Sequence, residues 1–170
     1  MQKITPFLWF DTEAEEAANF YVDLFNGNPA KSMDSKILNI SRYPEEGEEV
    51  TGKPAGSVMV AEFELEGTCF TALNGGPHFK LNGAVSFVID CKTQEEVDYF
   101  WDKLSTGGGE AGQCGWINHD KFGATWQIVP DVLGKLLSDP DKDKSARAMA
   151  AMLKMTKLDI AALEKAHRGE

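Results

Sequence analysis

Positive charge is scarce in this sequence: 17 Lys and Arg stand against 27 Asp and Glu in 170 residues, a formal net charge of −10. That balance repels a phosphate backbone and argues against nucleic acid as a partner. Long apolar runs are also missing. None approaches the ~18–20 residues of a membrane span, and the run Pro6-Phe7-Leu8-Trp9-Phe10 is cut by Asp11 before it can act as a signal-peptide core. The expectation is a cytoplasmic protein with no membrane partner. Cysteine is limited to Cys69, Cys91 and Cys114, an odd number without CxxC spacing. These read as buried thiols in a reducing compartment rather than a disulfide framework. Histidine is limited to His78, His119 and His167, with no i, i+4 pair of the kind that binds metal on a helix. Gly107-Gly108-Gly109 lacks the Gly-Lys-Ser/Thr that completes a phosphate loop, so it reads as a helix stop, and no strand-GxGxG-helix arrangement for a nucleotide or S-adenosylmethionine is present.

What is present suffices for a packed core: 42% of residues are hydrophobic and 10% aromatic. One pattern occurs twice. A strand-length apolar run, Phe7-Leu8-Trp9-Phe10-Asp11, precedes a helical segment in residues 12–25. A second run, Ala84-Val85-Ser86-Phe87-Val88-Ile89-Asp90, precedes a helical segment in residues 93–104. In the helical parts Glu15 matches Glu95, Glu16 matches Glu96, Phe20 matches Phe100, Tyr21 matches Trp101 and Leu24 matches Leu104. Thr12 with Glu15 and Thr93 with Glu96 have capping-box spacing. Apolar residues at 17, 20, 21 and 24, and at 97, 100, 101 and 104, form one stripe per helix that must pack on a sheet.

Strands follow each helix. In the first half residues 36–42, 57–65 and 68–73 read as strands, with an acidic solvated loop at 44–56 and a hairpin turn at Glu66-Gly67. In the second half residues 113–118 and 124–129 flank a turn at 119–123. The chain is thus expected to be one α+β domain of two tandem βαβββ modules, about 1–76 and 83–130, joined by a turn-rich linker. Residues 131–170 read as a helical appendage covering the sheets or a neighbouring subunit, with helical patterning in 132–137, 145–155 and 159–167.

Several motifs within this frame resemble the PhnB-like family of the vicinal oxygen chelate superfamily, which includes glyoxalases, bleomycin-resistance proteins and extradiol dioxygenases. They are Ile4-Thr5-Pro6-Phe7-Leu8-Trp9-Phe10, Asn74-Gly75-Gly76-Pro77-His78-Phe79, Cys114-Gly115-Trp116, the segment 121–130, and the tail around Met152-Leu153-Lys154-Met155 and 158–163. The family often carries the label 3-demethylubiquinone-9 3-methyltransferase. The resemblance implies curved mixed sheets around a cleft, the glyoxalase/bleomycin resistance/dioxygenase-like fold, in a homodimer.

In metal-using relatives the ligands come from the first and last strands of each module. Counting back from Asp11 and Asp90 carries the first-strand positions to Thr5, or Ile4 one residue earlier, and Ala84; superposing Gly67 on Gly123 carries the last-strand positions to Thr71 and Gln127. Only Gln127 is a customary ligand there, whereas a catalytic metal wants about three protein ligands and an open position. No metal and no cofactor is therefore expected, a divalent metal being the alternative, and a site from His78 and Asp120 has no support in spacing. Strand alternation gives the candidate pocket as Thr5, Phe7, Trp9, Cys69, Thr71, Leu73, Ala84, Ser86, Val88, Thr125 and Gln127, with Val129 on the same side. This apolar, aromatic lining with a few hydroxyls and one amide suits a small organic ligand. An enzyme of the superfamily, as a metal-dependent lyase or dioxygenase or as the labelled methyltransferase, and a non-catalytic assembly module are the alternatives.

Overall fold

A computed structural model describes residues 2–170, which form two compact units, 2–81 and 82–170. In the first, β1 (Phe7–Phe10) leads into α1 (Ala14–Asn26), then β2 (Lys36–Arg42), a helical turn at Glu45–Gly47 and α2 (Glu48–Thr51), β3 (Val58–Leu65) and β4 (Thr68–Asn74). The strands form one mixed sheet in the order β1-β4-β3-β2, with β1 parallel to β4 and the other pairs antiparallel. The expected acidic loop at 44–56 therefore contains two short helical turns. Its glutamates Glu45, Glu46, Glu48 and Glu49 all remain exposed.

Period-two alternation decides which side of this sheet is core. Leu8 and Phe10 on β1, Ala61, Phe63 and Leu65 on β3, and Phe70 and Ala72 on β4 are buried against α1, which contributes Ala14, Ala17, Ala18, Tyr21, Val22 and Leu24. Phe63 stacks on Phe70 with ring centroids 5.4 Å apart and on Tyr21 at 6.1 Å. The helix rotates its buried stripe slightly from the expected one: Phe20 is only half-buried, and the small side chains Ala14, Ala17 and Ala18 let the helix approach the sheet.

The second unit repeats the plan. β5 (Phe87–Cys91), α3 (Gln94–Ser105), β6 (Glu110–Ala111), β7 (Trp116–His119) and β8 (Trp126–Pro130) give a sheet ordered β5-β8-β7-β6, with β5 parallel to β8. All four expected positions of the α3 stripe, Val97, Phe100, Trp101 and Leu104, are buried. The strand expected over 113–118 is shorter, because Cys114 and Gly115 adopt left-handed conformations with φ of 57° and 83° and turn the chain into β7. A β-carbon at Gly115 would stand 2.7 Å from Ile128 O and 3.0 Å from Leu158, so this turn requires glycine.

Residues beyond β8 form α4 (Asp131–Leu137), α5 (Lys142–Met152) and α6 (Ile160–Arg168). Leu133, Leu136, Ala148, Leu158 and Leu163 make a core of their own, against which Val129, Met152 and Met155 pack. Val129, expected on the ligand side, is thus partly covered by these helices. Cys114 N donates to Met155 O at 2.8 Å and Gly115 N to Thr156 O at 2.7 Å, tying the helices to the β6–β7 turn. Among the described residues no helix is long and apolar enough to cross a membrane.

The two helix starts differ from the capping boxes that the spacing predicts. In α3 the Thr93 hydroxyl accepts from Glu96 N at 3.3 Å, but the Glu96 carboxylate reaches one residue further back, to Lys92 N at 2.7 Å. In α1 Thr12 does not cap. The helix starts after Glu13, and Ala14 N donates to the Asn74 carboxamide at 2.8 Å. A buried side chain from the end of β4 supplies the acceptor that a local hydroxyl would otherwise provide.

Candidate functional site

The sheet faces away from α1 and α3 carry the candidate residues. On the first sheet Phe7 lies beside Thr71 and Trp9 beside Leu73 in the parallel β1–β4 register. Phe7 is 60% exposed, and Trp9, Thr71 and Leu73 are half-buried, in contrast to the buried Leu8, Phe10, Phe70 and Ala72 of the opposite face. The Trp9 ring is fixed: its Nε1 donates to Gly76 O at 2.8 Å, and Phe79 meets it edge-on with centroids 5.0 Å apart. Gly75 passes so close that a β-carbon there would stand 2.2 Å from Trp9 Cζ2.

On the second sheet Val88 lies beside Gln127, and Val88 is 54% exposed. The Gln127 amide donates to Ser86 Oγ at 2.9 Å, giving this face one defined polar pair. The register also corrects the repeat. Phe7 pairs with Thr71 and Val88 with Gln127, so Phe7 and Val88 are counterparts, and Thr5 corresponds to Ser86 rather than to Ala84. Ala84 belongs to the turn before β5, where its N–H donates to Asn82 Oδ1 at 2.9 Å; Thr5 and Ile4 are exposed ahead of β1.

Two further candidates are placed differently. Thr125 is buried, and its hydroxyl donates to Asn118 O at 2.8 Å, so it braces β8 against β7. Cys69 is half-buried at the start of β4, strapped by Gln2, whose amide both accepts from Cys69 N and donates to Cys69 O; its Sγ lies 3.8 Å from Glu64 Oε2. Of the three thiols only Cys91 is fully buried, as Cys114 is also partly exposed. Burial first, then the neighbouring carboxylates of Glu96, Asp90 and Asp131, push the Cys91 thiol up to about 12, which keeps it protonated and inert. Trp126 is core: it is buried on the α3 side, with Nε1 donating to Asp120 Oδ2 at 2.8 Å.

The donor set at the superfamily's ligand positions does not fit a catalytic metal. Thr5, Thr71, Ser86 and Gln127 supply three hydroxyls and one amide already bonded to its neighbour, without a carboxylate or imidazole. Asp120 is committed elsewhere, since Oδ1 accepts from Phe122 N and Ala124 N and Oδ2 from Trp126. His119 pairs with Glu110 at 3.2 Å and His167 with Asp139 at 2.9 Å. Among the described residues no three His, Cys, Asp or Glu side chains converge.

The sequence profile of the 3-demethylubiquinone-9 3-methyltransferase family matches residues 2–129. The chain belongs to that family. The PhnB protein from Bacillus cereus, which carries the same methyltransferase label, is 35% identical; the similarity covers 76% of this chain and 99% of that one, with a TM-score of 0.63. Two more distant structures share the fold. They are protein PA1353 from Pseudomonas aeruginosa (17% identity, 76% and 98% coverage, TM-score 0.56) and the fosfomycin resistance protein FosX from Listeria monocytogenes (12%, 79% and 97%, TM-score 0.50). No curated protein matches. The PhnB-like chain is thus a member of the vicinal oxygen chelate superfamily, with the α+β glyoxalase-like fold of tandem modules and C-terminal helices. The family match ends just before α4, and the Bacillus cereus chain is nearly fully covered by three-quarters of this one.

Proposed function

We propose that this PhnB-like protein binds a small organic molecule on the apolar face of its first sheet, which carries Phe7, Trp9 and Leu73, without a tightly bound metal. The observation that carries the reading is the exposure of large apolar side chains on the face turned away from α1. Phe7 is 60% exposed where its strand neighbour Leu8 is buried. An apolar surface with a few placed polar groups is the composition of a ligand site, and the Thr71 hydroxyl stands beside Phe7 on this face. The donor chemistry at the superfamily's ligand positions supports the metal-free part.

The same reading keeps a homodimer, supported by further exposed apolar residues such as Ile4 and Leu38. Sedimentation of the purified protein as a dimer supports it, and a stable monomer contradicts it.

The test uses 2-naphthylmethanol as a neutral amphipathic probe, titrated into chelator-treated protein. Saturable binding is expected, weakened at least five-fold by Phe7→Ala or Leu73→Ala and unchanged by Leu153→Ala at the C-terminal end of α5. Absence of saturable binding, or binding that appears only after Zn²⁺ or Mn²⁺ is added, overturns the proposal.

A further inference from the structure

Beyond the end of β4 a lysine and a histidine stand beside an aromatic pair. Lys53, in the loop between α2 and β3, folds back over β1, where its Nζ donates to Asp11 O at 3.0 Å and lies 3.4 Å from Asp11 Oδ1. Its side chain is only 18% exposed, well below what is usual for lysine. His78 approaches the same point from the segment after β4. A β-carbon at Gly76 would stand 3.6 Å from Lys53 Nζ and 3.7 Å from His78 Cδ2, and Gly76, with φ of 94°, accommodates no such atom readily. Gly76 O in turn holds the Trp9 indole, and Phe79, 66% exposed, stands edge-on to that ring. A lysine, a histidine and two rings therefore meet around one glycine.

Lys53 thus bonds the Asp11 carbonyl and pairs with its carboxylate, which holds the ammonium in place. Its remaining donor capacity, with the His78 imidazole beside it, gives a place where an organic anion can accept hydrogen bonds in a chain carrying −10 overall. The Trp9 ring next to it is held by its Nε1 bond before any ligand arrives, which lowers the ordering cost of binding.

We propose that this corner binds the acidic group of an amphipathic organic ligand, with Lys53 and His78 taking an anionic oxygen and Trp9 and Phe79 flanking a planar apolar body. The proposal rests on the small-molecule reading above and adds the charge class of the ligand.

The test compares 2-naphthoate with neutral 2-naphthylmethanol on the chelator-treated full chain. Wild type binds naphthoate at least ten-fold more tightly. Lys53→Met brings the two affinities within two-fold of each other, whereas Lys53→Arg retains most of the preference at the same thermal midpoint. His78→Gln, on an exposed segment that carries no core packing, lowers the preference two- to three-fold. Equal affinities for the two probes in wild type, or a preference that survives Lys53→Met, overturns the anion corner while leaving the small-molecule reading intact. Failure of both probes to bind overturns both.

Discussion

Asn74 Oδ1 accepts the backbone N–H of Ala14 at 2.8 Å across sixty residues of sequence, and this bond sets α1 on its sheet. The same carboxamide donates to Val58 O at 3.1 Å, while the Asn74 carbonyl accepts from the Tyr43 hydroxyl at 2.7 Å. The end of β4, the start of α1 and the start of β3 thus meet in one buried side chain. It stands immediately before Gly75-Gly76, on which Trp9 rests. Asn74→Ala leaves Ala14 N and Val58 O without their partner and is expected to cost about 2–4 kcal/mol, read by urea unfolding. A loss below 0.5 kcal/mol would show that water or a neighbour replaces the amide.

Gly75→Ala probes the fit between backbone and indole. The new methyl overlaps the Trp9 ring, so the ring must leave its position or the turn must shift. The expected loss is about 1–3 kcal/mol, as for overpacking elsewhere. Tryptophan emission changes as the Nε1 bond to Gly76 O breaks, and probe binding weakens with it. An unchanged spectrum and midpoint would mean that Trp9 is not held by this turn.

Thiol chemistry separates the three cysteines. Cys91, buried and held near 12, stays unreactive toward a disulfide reagent at pH 8 until the protein unfolds. Cys69 and Cys114, both partly exposed, react in the native state. Modification of Cys91 at the rate of the other two would contradict its burial.

Besides the ties to the β6–β7 turn, the C-terminal helices have two anchors on α3 of different strength. Gln94 Oε1 accepts from Ile160 N at 2.9 Å, and its Nε2 donates to Leu158 O and Asp98 Oδ1, both at 3.1 Å. Lys157 donates to Asp98 at 2.7 Å, but both side chains are more than a third exposed. Lys157→Met is therefore expected to cost no more than ~1 kcal/mol, with the effect shrinking in salt. Gln94→Leu costs more and speeds amide exchange in α6.

The pH dependence of that ion pair follows from the direction of each shift. The hydrogen bond from Lys157 holds Asp98 below the usual carboxylate range, so its contribution is complete above about pH 4 and disappears as pH falls through the lowered value. The bond to Asp98 raises Lys157, whose contribution is complete below about pH 10 and is lost as pH rises through the raised value. The difference in stability between wild type and Lys157→Met should hence be flat between those limits and vanish in acid. A difference that persists below pH 2 would mean that Lys157 acts through packing alone.

Period-two alternation was enough to place Phe7, Trp9, Thr71 and Leu73 on one side of β1 and β4, because Leu8, Phe10, Phe70 and Ala72 are apolar and must face α1. The repeat was legible for the same reason in α3, whose four-residue stripe is wholly buried. Four features were not legible. The helix-start spacing of Thr12 and Glu15 could not show that a long-range carboxamide would replace it. Matching Asp11 with Asp90 misplaced the first strand of the second module, since only the pairing of Val88 with Gln127 fixes Ser86 as the counterpart of Thr5. The hydroxyl of Thr125 looked available from alternation, yet the adjacent strand claims it through Asn118 O. The proximity of Lys53 to Trp9 and His78 depends on an irregular loop whose path no periodicity encodes. The single sign in the sequence was the Gly75-Gly76 pair itself.

The most direct measurement is a chemical-shift titration of isotope-labelled, chelator-treated protein with 2-naphthylmethanol. The account predicts saturable shifts at Phe7, Trp9 and Leu73 with no divalent metal in solution, and elemental analysis of protein purified without chelator showing far less than one metal per chain. Stoichiometric metal that Gln127→Ala removes, or shifts that appear only once metal is restored, would contradict it.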